Sequence, residues 1–264
     1  MKTPIRLWMV GARDWSDTAA IDAVLAWTPP GSTVILAADP GLDALAASRA
    51  RERGLHVEVA GIPWNDHGHW CSCGHAGIAE LPCAGAGPAY NQRLLAELHP
   101  THLAAFPTAT SYRALDALTK ARAAGVAVVC RVYTGHVSTR DPDRFDVTRQ
   151  HGGEAGAPFA PSWDLLRGFK QVEREIGIRT DADWRAYAGA YTAEMRRSYT
   201  THGEAWQALI QRPRLVACCV CARADHQKCH RTVLARDLLP KIGPAVYCGE
   251  LAPAREPQQL GLLG

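Results

Sequence analysis

From residue 5 to residue 130, short unbroken apolar runs alternate with stretches whose apolar residues recur every three or four positions. The runs are 5–11, 33–38, 56–62, 102–106 and 126–130. Their length and lack of polar alternation predict strands buried on both faces. Between them, Ala19, Ile21, Val24, Leu25 and Trp27 fall at helical spacing until Pro29-Pro30-Gly31 stops them. Further helices are expected over 42–53, ended by Gly54, from Pro88 through Leu94, Leu95 and Leu98, and over 110–124. Strands alternating with helices in this way predict an α/β fold, a Rossmann-like parallel sheet with helices on both faces.

The alternation breaks after Tyr133. Residues 134–162 are rich in Gly, Pro, Asp and Arg and carry no readable helix or long strand. Ser162 is placed to cap a helix over 163–170, and Thr180 or Asp181 to cap a longer one reaching about Ser198. In the longer one Trp184, Tyr187, Tyr191 and Met195 form a stripe, a pattern that marks core more often than a cofactor cage. A helix over 203–211, a buried strand over 214–221, a helix over 229–239 and a strand over 246–251 complete a smaller α+β region. The chain therefore reads as two domains, 1–132 and 133–264.

Composition narrows the picture. The 264 residues are 47% apolar and 21% charged, which suits globular domains and excludes wholesale disorder. A formal charge of +3 is too small to identify a nucleic-acid binder by itself. No apolar run approaches the roughly 18 residues of a membrane span, so no membrane partner is expected. The nine cysteines are the unusual feature. Cys71, Cys73 and Cys83 form one group, Cys218, Cys219, Cys221 and Cys229 another, and Cys130 and Cys248 stand apart. An odd count with no readable export segment points to a reducing cytoplasm, where clustered thiols serve metal or chemistry.

In open parallel sheets, ligands bind where strands end and helices begin. The candidates at those positions are Gly11, Arg13, Asp43, Asn91, Thr108 and Ser111. Gly lets a backbone approach a ligand, Arg13 can fork onto phosphate, and Asp43 or Asn91 can hold ribose hydroxyls. The order Gly11-Ala12-Arg13-Asp14-Trp15, Gly41-Leu42-Asp43, Pro63-Trp64-Asn65, Ala86-Gly87-Pro88 with Asn91, and Ala105-Phe106-Pro107 resembles the SLOG superfamily of Rossmann-like domains. It is most similar to small prokaryotic and phage members related to the LOG phosphoribohydrolases. That resemblance spans roughly residues 4–132 and implies a nucleotide or nucleotide-like ligand. Tyr90 stands where relatives carry Arg, Ala38-Asp39 replaces a Gly-Gly, and Thr108-Ala109-Thr110-Ser111 replaces a Gly-rich phosphate loop. These departures argue for binding without LOG-type hydrolysis.

Two Cys/His groups carry candidate chemistry. In the insertion at 65–85, Cys71, Cys73, His75 and Cys83 are the preferred ligands of a structural zinc, with His67 or His69 as substitutes and free thiols as the alternative. In the second half, a buried strand ends at Cys221 and a helix begins near Cys229-His230-Arg231. A thiol at that helix start, beside Lys228, His230 and Arg231, should have a lowered pKa. Cys229 is then a nucleophile, or a metal ligand with Cys221, His226 and His230. The alternative is that these cysteines pack as small apolar residues.

The arrangement strand-Cys, loop, Cys229-His230-Arg231-x-x-Leu234-Ala235 closely resembles the unknown-function family numbered 488. Tyr133-Thr134, Asp141-Pro142-Asp143-Arg144-Phe145-Asp146-Val147-Thr148 and Phe159-Ala160-Pro161-Ser162-Trp163 extend it over about 130–250. The resemblance implies a site among Asp143, Arg144, Asp146, Thr148, Ser162, Trp163 and Tyr191. Asp143 or Asp146 would act as general acid or base, Arg144 and Arg231 as anion clamps, and Trp163 as a base-stacking platform or core residue.

The leading expectation is a protein that recognises a nucleotide or nucleic-acid base and acts on it in the second domain, by hydrolysis or transfer at an N-glycosidic bond or base substituent. DNA or RNA is allowed as partner, zinc is the expected cofactor, and no organic cofactor is expected. A non-enzymatic nucleotide sensor with a structural zinc loop is one rival, and a thiol-redox or metal-handling protein is another.

Overall fold

The computed structural model describes residues 3–62, 64, 83, 85–108, 111–176, 180–221 and 227–251. The chain divides into two compact units, one of residues 1–131 with 210–213 and one of residues 132–209 with 214–264.

In the first unit, β1 (Arg6–Gly11), β2 (Thr33–Leu36), β3 (His56–Val59), β4 (His102–Phe106) and β5 (Ala127–Val128) form one sheet in the order β3-β2-β1-β4-β5. Every pairing is parallel. The helices between them are α1 (Thr18–Trp27), α2 (Leu42–Glu52), α3 (Ala86–Leu98) and α4 (Tyr112–Ala123). Trp8, Val10, Ile35 and Leu103 pack with Leu94 of α3 and Ala117 of α4 in one core cluster. Their alternate neighbours Leu7, Met9, Val34 and Leu36 are equally buried, as a sheet covered on both faces requires. Asp17 starts α1 by accepting hydrogen bonds from the amides of Ala19 and Ala20. Helix α3 begins at Ala86, two residues before Pro88.

The strand order reverses between β1 and β4, which opens a crevice at their carboxyl ends. Two backbone features shape it. Gly41 has φ +74°, and a Cβ there would fall on the carbonyl oxygen of Arg13. Ala38 also takes a positive φ, of 62°, at the end of β2.

In the second unit, β6 (Cys130–His136), β7 (Arg144–Asp146), β8 (Arg214–Cys219) and β9 (Ala245–Glu250) form a sheet in the order β7-β8-β6-β9. The run expected at 126–130 is thus divided: Val129 donates to Leu103 O, and β6 starts at the next residue. The short strand β7 pairs parallel with β8, Asp146 opposite Cys218. Parallel pairing here goes beyond the expected α+β character. The helices are α5 (Gly153–Gly156), α6 (Trp163–Ile176), α7 (Asp181–Thr201) and α8 (Gly203–Ile210). Ser162 accepts from the Leu165 amide at the start of α6, and Thr180 closes a reciprocal capping box with Asp183 on α7. The segment expected as one helix over 229–239 is α9 (His230–Thr232), a wide π-helical stretch (Val233–Leu238) and α10 (Leu239–Ile242). Among the described residues, no helix is long and apolar enough to cross a membrane.

Candidate functional site

The chemistry of the second unit gathers at the end of β8. Cys219 is its last residue, Cys221 follows two residues later, and Cys229 precedes α9. Their three sulfur atoms lie within 4.8 Å of one another. Cys219 donates its thiol proton to the sulfur of Cys221 at 3.4 Å. Nδ1 of His230 stands 3.9 Å from the sulfurs of both Cys219 and Cys229. Nε2 of the same ring contacts the carbonyl oxygen of Val147 at 3.0 Å. A carbonyl can only accept, so Nε2 carries the proton and Nδ1 turns its lone pair toward the thiols.

Electrostatics divide the cluster into unlike members. Cys221 is held low by hydrogen bonds from Cys219 and Cys229, with His230 and Arg231 adding to the effect. Cys219 is raised, first by its hydrogen bond to Cys221, and Cys229 is raised by burial and by its two thiol neighbours. Burial lowers His230, which favours the neutral ring. Thiolate character therefore belongs to Cys221. Cys229, where the helix start predicts the lowered thiol, is buried and donates to its neighbours instead.

The donor set fits a metal ion. Three sulfurs this close together are a donor set that a thiophilic ion could take, and Nδ1 of His230 stands 3.9 Å from two of them. Cys219, Cys221 and Cys229 are the residues that could hold the ion.

These sulfurs form the floor of a cavity of about 150 Å³. Trp163 and Phe169 of α6 and Tyr187 of α7 wall it, and Arg149, Lys170 and Lys228 also line it. Residues 134–243 match the family model DUF488-N3a, the active DUF488-N3 subclade. No curated protein and no solved structure matches the chain. The matched DUF488-N3a segment contains the three thiols, His230 and the aromatic walls.

Within this segment the expected site residues separate. Trp163, Cys229 and His230 line the cavity. Tyr191 is fully buried, donates to Phe159 O at 2.7 Å and meets the His230 ring edge-on. Arg231, 0% exposed, does not line it. It donates to Cys221 O at 3.2 Å and Cys219 O at 3.5 Å, and pairs with Glu250 at 3.0 Å. It thereby shapes the thiol loop from inside. Asp143 joins Asp141 in a clamp on Arg214, at 2.8 and 2.6 Å. Asp146 accepts from the Thr148 amide and sits 3.5 Å from Arg144. Asp143, Arg144 and Asp146 thus lie beside the cavity lining rather than in it. Thr148 also lines the cavity and accepts from the His151 amide, while Ser162 caps the start of α6.

The first unit has its own cleft, of about 550 Å³, at the crevice between β1 and β4. Gly11, Arg13, Thr108 and Ser111 line it. Asp43 and Asn91 are buried beneath: Asp43 pairs with Arg113 at 3.2 Å, and Asn91 donates to Arg113 O. Burial raises the Asp43 carboxyl despite Arg113. Arg13 lies over the Trp64 ring at 4.5 Å, and Trp64 donates to Asp39. Arg113, Asp39 and Trp64, which stand in the strand-end segments without being singled out there as ligand contacts, also line the cleft. Cys83 is buried in the core of this unit and donates its amide to Trp64 O. Its expected metal partners Cys71, Cys73 and His75, with His67 and His69, lie outside the described residues, as does His226.

Proposed function

We propose that the second unit recognises the base of a nucleotide or nucleic acid in the aromatic-walled cavity and acts on it there, by hydrolysis or transfer at its N-glycosidic bond or at a ring substituent. The convergence of Cys219, Cys221 and Cys229 on the floor of a cavity walled by Trp163, Phe169 and Tyr187 carries this reading. Aromatic faces accept any base by stacking. In this reading the three thiols, with His230 beside them, hold zinc, which would supply a Lewis acid toward a polar ring substituent. Arg231 keeps the thiol loop in place, and Val147 fixes the His230 tautomer. Cys83, Cys218, Cys219, Cys221 and Cys229 form no disulfide among the described residues, which suits a reducing compartment such as the cytoplasm.

The test is to incubate the purified chain with nucleotides and oligonucleotides and to follow released base or altered mass by mass spectrometry. The reading expects a product that Cys221→Ser abolishes. Unchanged substrates throughout, or a product made equally well by Cys221→Ser, would overturn it.

A second reading concerns the first unit: a SLOG-like nucleotide-binding domain that serves as a sensor. Arg113 supports it, since among the described residues Nη1 of this side chain has no hydrogen-bond partner and the residue lines the cleft where α4 starts without a side-chain cap. Nucleotide binding lost in Arg13→Ala, with second-unit thiols intact, supports this reading; no binding at any nucleotide concentration removes it.

A further inference from the structure

The cavity over the thiols, at about 150 Å³, is smaller than the roughly 300–1,000 Å³ that enclose a whole drug-sized ligand. It admits one ring system and leaves an attached sugar and phosphate outside. Phe169 and Tyr187 stack on each other, with centroids 4.3 Å apart and planes at 28°, so they close that wall rather than offer a slot between them. The stacking surface left to a ligand is Trp163, which lines the cavity and keeps 51% of its surface exposed.

Apart from the thiol cluster, the charged side chains of the lining have one sign. Arg149, Lys170 and Lys228 contribute to it, and no carboxylate does among the described residues. Arg149 is anchored by Ala160 O and Pro161 O, which holds its guanidinium in place. Lys228 meets the exposed Asp181 at 2.6 Å, a water-screened contact that an arriving phosphate can displace. Three cations around a one-ring cavity exceed what a single phosphate uses, and an exposed Trp beside it offers a stacking surface.

We infer that the cavity takes one unpaired base of a single-stranded nucleic acid, with the flanking phosphates on Arg149, Lys170 and Lys228 and a neighbouring base stacked on Trp163. The inference rests on the reading that the second unit recognises a base. It adds that the base arrives on a strand. A duplex must first unstack and unpair a base, so it binds less well.

Fluorescence anisotropy of the full chain with a labelled short DNA strand of mixed sequence tests this, beside the same sequence as RNA, the DNA duplex, and mononucleotides as competitors. DNA or RNA strands should bind about tenfold or more tighter than duplex and mononucleotides. Log affinity should fall against log salt with a slope of about −2 for three phosphate contacts. Trp163→Ala and Lys170→Glu, both at exposed positions, should each weaken binding about tenfold with unchanged circular dichroism. Duplex bound as tightly as single strand, or full affinity in Trp163→Ala, overturns the inference. Mononucleotides bound and converted while strands are ignored overturn it and leave the base reading intact. No binding of strand, duplex or mononucleotide overturns both.

Discussion

Arg231 holds Cys221 by its backbone: Nη1 of the fully buried guanidinium donates to the Cys221 carbonyl oxygen at 3.2 Å, while Nη2 meets Glu250 at 3.0 Å. A residue that sequence reading casts as an anion clamp is therefore a positioning residue for the thiol loop. Its charge is spent inside the unit.

Arg231→Met should therefore act on stability and metal retention together. It strands the Glu250 carboxylate and frees the Cys219 and Cys221 carbonyls, and removing one partner of a buried pair costs about 3 kcal/mol or more. Urea unfolding followed by zinc analysis checks this. The double variant Arg231→Met with Glu250→Leu should regain part of the stability and little of the zinc. Full metal retention in Arg231→Met would show that the guanidinium does not shape the loop.

The unlike protonation of the three thiols predicts proton release on metal binding. Cys219 and Cys229 are raised and hold protons at neutral pH, whereas Cys221 is lowered and His230 is neutral. Zinc binding to the metal-free chain should release about two protons per ion, and affinity should fall as pH falls. Indicator titration in weak buffer measures this. Zinc uptake with no proton release would contradict the assigned states.

The clamp of Asp141 and Asp143 on Arg214 gives a pH-dependent term. Asp141 is lowered from its ordinary value of 3.8, chiefly by its hydrogen bond with Arg214. A depressed folded pKa contributes stability that is present above the unfolded value and drains away as pH falls through the folded one. Between neutral pH and about pH 3, the urea midpoint of the natural chain should fall more steeply than that of Asp141→Asn. Parallel profiles would mean that the clamp is electrostatically idle.

Gly41 tests the first unit. Its φ of +74° and the Arg13 carbonyl oxygen, on which a Cβ would fall, leave no room for a side chain. Gly41→Ala should destabilise the chain by about 1–3 kcal/mol, read as a lowered thermal midpoint. A neutral substitution would mean that this turn adjusts freely.

The parts of the fold that sequence reading reaches are those where one strong local signal acts alone. Unbroken apolar runs mark β1, β2 and β4, and the Thr180-Asp181 pair marks the start of α7. What it misses depends on partners far along the chain. Three-residue β7 exists because β8 pairs with it, and β5 and β6 separate because Val129 and Arg131 bond to different segments. Cys219 and Cys221 stand two residues apart where β8 ends, a spacing that favours one face of an extended chain, so their partnership was legible in principle. The helix-start argument drew attention to Cys229 instead. Asp143 looked catalytic in sequence because Arg214, its partner, lies 71 residues away.

Zinc content per chain, measured on the natural protein and on Cys219→Ser/Cys221→Ser, tests the central claim most directly. The thiol cluster at the cavity floor predicts that the double variant binds one zinc fewer per chain while remaining folded. An unchanged zinc content, or none in the natural protein even after zinc is supplied, would contradict it.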